Sequence, residues 1–240
     1  MRNLILILAL IPLISFSQEN KKDKKSKKDF YKWDIGINGG VNFNNPISDN
    51  ESLNNLNSQG TLYGLTLVYH FNRFFAFKAD FDIENRGWVM ENFNLTQTQG
   101  SNQSGIAITE IKNVTQVLDY FDIPAFMHIG FGKKLKFDLN IGPYFGFKIK
   151  DKVYSYSPDD NQLDDPFTRG AIGIGEFKNF DFGVVYGLGF DYMIHKRFSI
   201  GFDALYEKGM RIINDGNYKN SSIDFDFGIN FHLGKKKKKK

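Results

Sequence analysis

Apolar and polar residues alternate with a period of two along most of the chain. In one segment, Ile223, Phe225, Phe227, Ile229 and Phe231 alternate with Asp224, Asp226, Gly228, Asn230 and His232. The same alternation fills residues 33–43, 75–84, 135–149 and 182–194. Because successive side chains of a β-strand point to opposite faces, each segment predicts a strand with one apolar and one polar face.

Eight such strands are predicted, and the connections between them alternate in length. The strands cover residues 33–43, 61–71, 74–88, 114–131, 135–150, 180–194, 197–209 and 222–233. The connections at 72–73, 132–134 and 195–196 are short, whereas those at 44–60, 89–113, 151–179 and 210–221 are long. Pro124 has no N–H to donate, so it predicts a bulge or a local irregularity in the fourth strand.

This pattern predicts an all-β fold, an eight-stranded antiparallel transmembrane β-barrel with up-and-down meander topology over residues 33–233. Short turns on one side and long loops on the other are typical of outer-membrane barrels, whose apolar residues face lipid and polar residues face the lumen. Each strand is long enough to cross a bilayer when tilted. A soluble lipocalin-type barrel is the alternative, and it would place the phenylalanine face inside.

The first 17 residues predict a secretory signal peptide that is cleaved before Gln18. Arg2 provides the positive start, and an apolar core follows at 4–14. That run is shorter than the roughly 20 residues of a membrane-spanning helix. The chain has no cysteine, which excludes a lipoprotein signal and disulfide bonds. Export to the outer membrane is therefore expected.

The charge and composition fit this prediction. Aromatic residues make up 16% of the chain although its mean hydropathy is −0.37, as expected when only one strand face is apolar. The net charge of +4 comes from lysine runs in a periplasmic N-terminal segment, 18–32, and a C-terminal tail, 234–240. These runs predict solvated tails that could contact anionic lipid or an acidic partner protein. Without a recognition motif they predict no nucleic-acid partner.

The polar faces predict a network of charged residues in the lumen. Its members are Lys78, Asp80, Asp82, Glu84, Asp122, His128, Lys136, Asp138, Lys148, Asp191, Asp203, Glu207, Asp224 and Asp226. They could line an ion path or form a salt-bridged plug. The plug is favoured because the interior of an eight-stranded barrel is just wide enough to be filled by side chains.

No catalytic, cofactor or metal site is predicted. The four histidines, His70, His128, His195 and His232, are scattered along the chain, and no pair has metal-ligand spacing. There is no nucleophile motif and no phosphate-binding loop. The protein is therefore expected not to be an enzyme, although a lipid-modifying membrane enzyme remains an alternative.

Three segments carry a family resemblance. They are YFDIPAF at 120–126, NIGPYFG at 140–146 and YGLGFD at 186–191. Together they resemble the small outer-membrane β-barrel family of Bacteroidetes, often called PorT-like, over about 33–233. The resemblance implies an outer-membrane barrel without established catalytic residues, and a member of the family is linked to type IX secretion. The lysine-rich tails depart from the family pattern.

The predicted role is structural or interactive, through the long extracellular loops of a barrel with a filled lumen. The alternative is an accessory component of a type IX-like protein-secretion system. In either case the expected partners are outer-membrane lipid and a protein that binds the loops or the tails.

Overall fold

The structure is a computed structural model that describes residues 31–47, 58–91, 113–156, 162–164, 176–214 and 217–234. These residues form strands β1 (Trp33–Asn44), β2 (Ser58–His70), β3 (Phe75–Asn85), β4 (Trp88–Glu91), β5 (Asn113–Gly132), β6 (Leu135–Tyr156), β7 (Gln162–Asp164), β8 (Phe180–His195), β9 (Phe198–Gly209) and β10 (Ser221–Leu233). In the described part of the chain, no helix is long and apolar enough to cross a membrane.

Eight strands close into a ring of antiparallel pairs in the order β1-β2-β3-β5-β6-β8-β9-β10. The ring closes where β1 pairs with β10, with Trp33 opposite Leu233 and Asn44 opposite Ser222. The short strand β4 pairs with β5, and β7 pairs with β6. The predicted fold class, an eight-stranded antiparallel up-and-down barrel, is confirmed. Closure leaves the ring without a free sheet edge.

The apolar face of the strands lies on the outside of the barrel. Ile37, Leu65 and Phe227 are 60%, 57% and 62% exposed, whereas Asp226, the neighbour of Phe227, is only 5% exposed. Adjacent side chains of a strand point to opposite faces, so the polar side chains turn inward. A lipocalin-type barrel is excluded because it would bury the phenylalanine face.

The three short turns lie where the sequence predicts them. Asn72 shapes the first, because its side-chain oxygen accepts hydrogen bonds from the backbone N–H groups of Phe74 and Phe75 at 2.8 and 3.0 Å. Gly132 begins the second with a φ of 131°, in the region that glycine adopts without strain. The third joins His195 to Phe198.

The structure corrects several predicted strand limits. The predicted strand 74–88 is interrupted after Asn85, and β4 resumes at Trp88. The strands β5 and β6 continue as a paired hairpin to Asn113 and Tyr156, so the predicted loop 151–179 starts later. Pro124 causes no register shift, but the pairing of β3 with β5 is interrupted there, between Ala125 and Asp122. The register shift of β5 against β6 lies between Asp119 and Tyr120.

Several predictions concern residues outside the described ranges. They include the signal peptide at 1–17, both lysine runs at 21–28 and 235–240, and most of the long loops. These remain predictions.

Candidate functional site

The structure places the predicted lumen residues on the inward face of the barrel wall. Ten are buried, namely Lys78, Asp80, Asp82, Glu84, Asp122, His128, Asp138, Glu207, Asp224 and Asp226. Four are partly exposed, namely Lys136, Lys148, Asp191 and Asp203. Their contacts divide the lumen into layers along the barrel axis.

The layer nearest the long loops is centred on Arg86, which is 3% exposed. Its guanidinium donates to Glu84 Oε2 from Nε at 3.0 Å and from Nη2 at 2.8 Å. It also donates to Asp122 and Glu207, and Asp181 lies 3.7 Å from Nη1. The four carboxylates come from β3, β5, β8 and β9, so one cation connects strands along the arc of the ring from β3 to β9.

Arg86 was not among the residues predicted for the lumen, although the sequence carries a signal for it. Arg86 follows Lys78, Asp80, Asp82 and Glu84 at intervals of two, so it continues their inward face.

A second charged layer is centred on Lys78, nearer the short turns. Its ammonium lies 2.7 Å from Asp203 Oδ2 and 3.4 Å from Asp80 Oδ2. Asn140 Nδ2 donates to the other oxygen of Asp203 at 2.8 Å. Lys78 also lies 5.4 Å from the ring centroid of Phe126, within cation–π range.

An apolar cluster lies between the two charged layers on the side of the lumen formed by β5, β6, β8 and β9. It consists of Phe126, Tyr144, Val185 and Leu205, all buried inside the barrel. Phe126 contacts Lys78 on one side, and the ring of Tyr144 lies 4.7 Å from the Arg86 guanidinium carbon on the other. On the opposite side of the lumen, polar groups continue between the two charged layers, because Asn38 Nδ2 donates to Asp82 Oδ1 at 2.8 Å and to Asp226 Oδ2 at 3.2 Å.

An aromatic cluster lies at the loop end of the lumen. We call it the loop-end cluster; its members are Trp88, Leu118, Tyr120, Phe177, Ile213 and Tyr218. Trp88 stacks on Tyr218 with ring centroids 6.3 Å apart, and Phe177 lies 6.4 Å from Tyr218. Burial raises the pKa of the Tyr218 hydroxyl to about 12. The cluster was not predicted from the sequence, because Phe177, Ile213 and Tyr218 lie in segments without strand periodicity.

At the short-turn end, Asp34 connects three strands. His70 Nε2 lies 2.7 Å from Asp34 Oδ2, and His232 Nδ1 lies 2.6 Å from Asp34 Oδ1. The three residues belong to β2, β1 and β10, so the contacts cross the seam where the barrel closes. The predicted polar face of the last strand includes His232, but its partner was not predicted.

Two groups of described residues have donors suited to a metal ion. Glu84, Asp122 and Glu207 form one, but Arg86 already binds all three carboxylates. His128, Asp138 and Asp191 form the other, where one donor atom from each residue lies within 4.8 Å of the other two. The second group has no arginine at its centre.

Comparison with known proteins identifies the family. A family model described as an outer membrane protein beta-barrel domain matches residues 16–213, which is most of the chain. The chain belongs to this family. It is therefore an outer-membrane β-barrel protein, and its exposed apolar face is the lipid-facing surface. No curated protein matches the sequence.

Solved structures of outer-membrane barrels are similar to this barrel at low sequence identity. Ail, the attachment invasion locus protein of Yersinia pestis, is 14% identical with a TM-score of 0.40, and the match covers 83% of this chain and 99% of Ail. For OprG from Pseudomonas aeruginosa the identity is 15%, the TM-score 0.41 and the coverages 85% and 99%. Neisserial surface protein A is 10% identical, with a TM-score of 0.42 and coverages of 83% and 97%.

Proposed function

We propose that this outer-membrane barrel is a non-conducting, non-catalytic anchor that holds its long extracellular loops as an interaction surface. The observation that carries the proposal is the Arg86 layer, where one buried guanidinium contacts carboxylates from four strands. The lumen of such a barrel is filled by its own side chains.

The layered contacts support a lumen that does not conduct. A permeating ion would have to separate Arg86 from its carboxylates and Lys78 from Asp203. Breaking a buried pair by removing a partner typically costs about 3–5 kcal/mol. On the side of β5, β8 and β9, the apolar cluster between the pairs offers a permeating ion no polar ligands from the side chains of Phe126, Val185 or Leu205.

The histidine contacts support a non-catalytic role. Catalysis of the Ser-His-Asp type needs a histidine that hydrogen-bonds to both a nucleophile and a carboxylate. In the described residues, the hydrogen bonds of His70 and His232 go to Asp34, and that of His128 goes to Asn140. None of these side-chain bonds reaches a serine or threonine hydroxyl.

Loop length supports an interaction role. The chain between β3 and β5 and between β6 and β8 exceeds the 12–15 residues above which a loop is usually functional or disordered. A rigid barrel holding variable loops is a common way to present a binding surface.

Conductance of the purified protein in planar bilayers tests whether the lumen is closed to ions. We expect no large steady conductance from the wild type. Arg86→Ala should introduce detectable openings, while Lys133→Ala in an exposed turn should behave as the wild type. Porin-like conductance steps in the wild type would contradict the proposal and make the acidic lumen a cation path.

Loop trimming tests the interaction role. Replacing 157–175 with a tight turn leaves β6, β8 and Phe177 in place, so the heat-modifiable folded form should persist on a gel. The phenotype of a gene deletion should nevertheless appear in this variant. A second variant has both this loop and residues 92–112 trimmed. If that variant does not show the phenotype of the gene deletion, the loops do not have the proposed role.

The PorT-like resemblance motivates a second candidate, an accessory role in protein secretion, and this role stays a prediction. The lysine runs at 21–28 and 235–240 would then provide a periplasmic contact surface. Removing both runs while keeping the loops separates the candidates, because a secretion defect from this change alone favours the accessory role.

A further inference from the structure

The group formed by His128, Asp138 and Asp191 lies on three consecutive strands of the ring, β5, β6 and β8. One donor atom from each residue lies within 4.8 Å of the other two. His128 and Asp138 are 8% and 6% exposed, and Asp191 is partly exposed. Ligand bonds to a transition-metal ion are about 2.0–2.2 Å long. Side-chain rotations would therefore bring all three residues to a single ion. Coordination through Nε2 of His128 requires the imidazole to rotate as well, because Nδ1 is the ring nitrogen that lies 4.0 Å from Asp138 Oδ1.

Hydrogen bonds determine which nitrogen of neutral His128 is free. Asn140 Nδ2 donates to Asp138 Oδ1 at 3.0 Å and to Asp203 Oδ1 at 2.8 Å, which fixes the orientation of the amide. Asn140 Oδ1 therefore faces His128 Nδ1, 2.8 Å away. An amide oxygen only accepts hydrogen bonds, so Nδ1 carries the proton and Nε2 keeps its lone pair. Fixing a ligand imidazole through its other nitrogen is typical of metal sites.

There is open space beside this lone pair. A Cβ atom placed on Gly130 would have only His128 Nε2 within 4 Å, at 3.5 Å. A cavity of about 30 Å³ lies in the short-turn half of the lumen and is lined by His128, Asp138 and Asp191. A cavity of 10–15 Å³ already admits one water molecule. This one therefore has room for an ion and a water ligand.

The charge of the cavity also favours a cation. Five aspartates line it, namely Asp34, Asp138, Asp191, Asp203 and Asp226, against a single lysine, Lys78. An enclosed space with excess negative charge concentrates cations.

We propose that this cavity binds one divalent transition-metal ion through His128, Asp138 and Asp191, with water completing the coordination. One imidazole and two carboxylates suit Zn²⁺ or a similar first-row ion better than Ca²⁺ or Mg²⁺, which prefer oxygen ligands only. Asn140 acts as a positioning residue that orients His128. The site goes beyond the anchor role and does not depend on it, since a bound ion and a non-conducting lumen are compatible.

Calorimetric titration of the folded, untagged protein in detergent with Zn²⁺ tests the site, with Co²⁺ absorption as a second readout. We expect one equivalent to bind. His128→Gln and Asp191→Asn should each weaken binding at least tenfold and remove the Co²⁺ absorption bands. Asn140→Leu should weaken binding about 10–100-fold, as loss of outer-shell partners does. His195→Gln, in an exposed turn, is the matched control and should bind as the wild type.

Folding of each variant is checked by its heat-modifiable mobility on a gel. Asp191→Asn changes a partly exposed residue, so it keeps the test decisive if His128→Gln does not fold. Absence of Zn²⁺ binding to the folded wild type overturns the proposal. So does equal Zn²⁺ affinity in the wild type and the folded site variants.

Discussion

The ammonium nitrogen of Lys78 lies 2.7 Å from Oδ2 of Asp203, although 125 positions separate the two residues in the chain. Lys78 is on β3 and Asp203 on β9, and these strands lie opposite each other in the ring of eight. Arg86 reaches Glu207 across the same opposite sides. Two charged contacts therefore span the lumen at different depths and connect its facing walls.

Breaking the contact between Lys78 and Asp203 should destabilise the barrel. We expect Lys78→Met to lower the free energy of unfolding by about 3–5 kcal/mol, because the buried Asp80 and the partly exposed Asp203 would lose their cation. Urea unfolding in detergent measures the change. Lys133→Met in an exposed turn is the control and should change stability by no more than about 0.5 kcal/mol. If Lys78→Met lowered the free energy of unfolding as little as Lys133→Met does, the contact between Lys78 and Asp203 would not hold the facing walls together.

Arginine should be poorly tolerated on the lipid-facing surface. We expect Phe227→Arg to cost about 2–4 kcal/mol near mid-membrane, because the charge would have to enter lipid. Phe227→Leu keeps the face apolar and is the matched control. Asp226→Asn, one residue away on the lumen face, should be milder than Phe227→Arg. Folding into lipid vesicles measures the effect, and equal tolerance of all three changes would contradict the assignment of faces.

Two adjacent glycines should respond differently to alanine. A Cβ atom on Gly40 would lie 2.1 Å from the backbone oxygen of Phe225, whereas one on Gly39 would lie 3.6 Å from its nearest neighbour, the Leu62 oxygen. We expect Gly40→Ala to destabilise by about 1–3 kcal/mol, as overpacking does, and Gly39→Ala to have little effect. Urea unfolding compares the two. Equal stabilities would mean that the wall at Gly40 is less tightly packed than the structure has it.

The loop-end cluster should weaken at alkaline pH. Burial raises the pKa of Tyr218 from 10 to about 12. The unfolded chain therefore releases this proton at a lower pH than the folded protein, and the free energy of unfolding falls as pH rises from 10 to 12. Tyr218→Phe removes this contribution. The stability difference between wild type and variant should be constant below about pH 9 and shift in favour of the variant above pH 10.

If the stability difference between the wild type and Tyr218→Phe did not change with pH, the Tyr218 hydroxyl would lie in water rather than in the loop-end cluster. Stability measurements from pH 8 to 12 distinguish the two outcomes, since other tyrosines titrate equally in both proteins.

The period-two pattern was enough to predict the strands, the two faces and the short turns. These features are local, because the direction of each side chain in a strand follows from its position in the chain. The same reasoning placed Lys78, Asp226 and His128 on the inner face. It did not locate the break after Asn85, because alternation continues through Arg86.

The tertiary structure decided which inward residues meet. Strand pairing and the closure of β1 on β10 bring Asp34 between His70 and His232, and Lys78 opposite Asp203. Sequence spacing predicted no metal site, because the donors of the proposed site lie far apart in the chain. They approach only because β5, β6 and β8 are neighbours in a closed ring. Register and ring closure are long-range properties, whereas a period of two along the chain specifies only the face of each side chain.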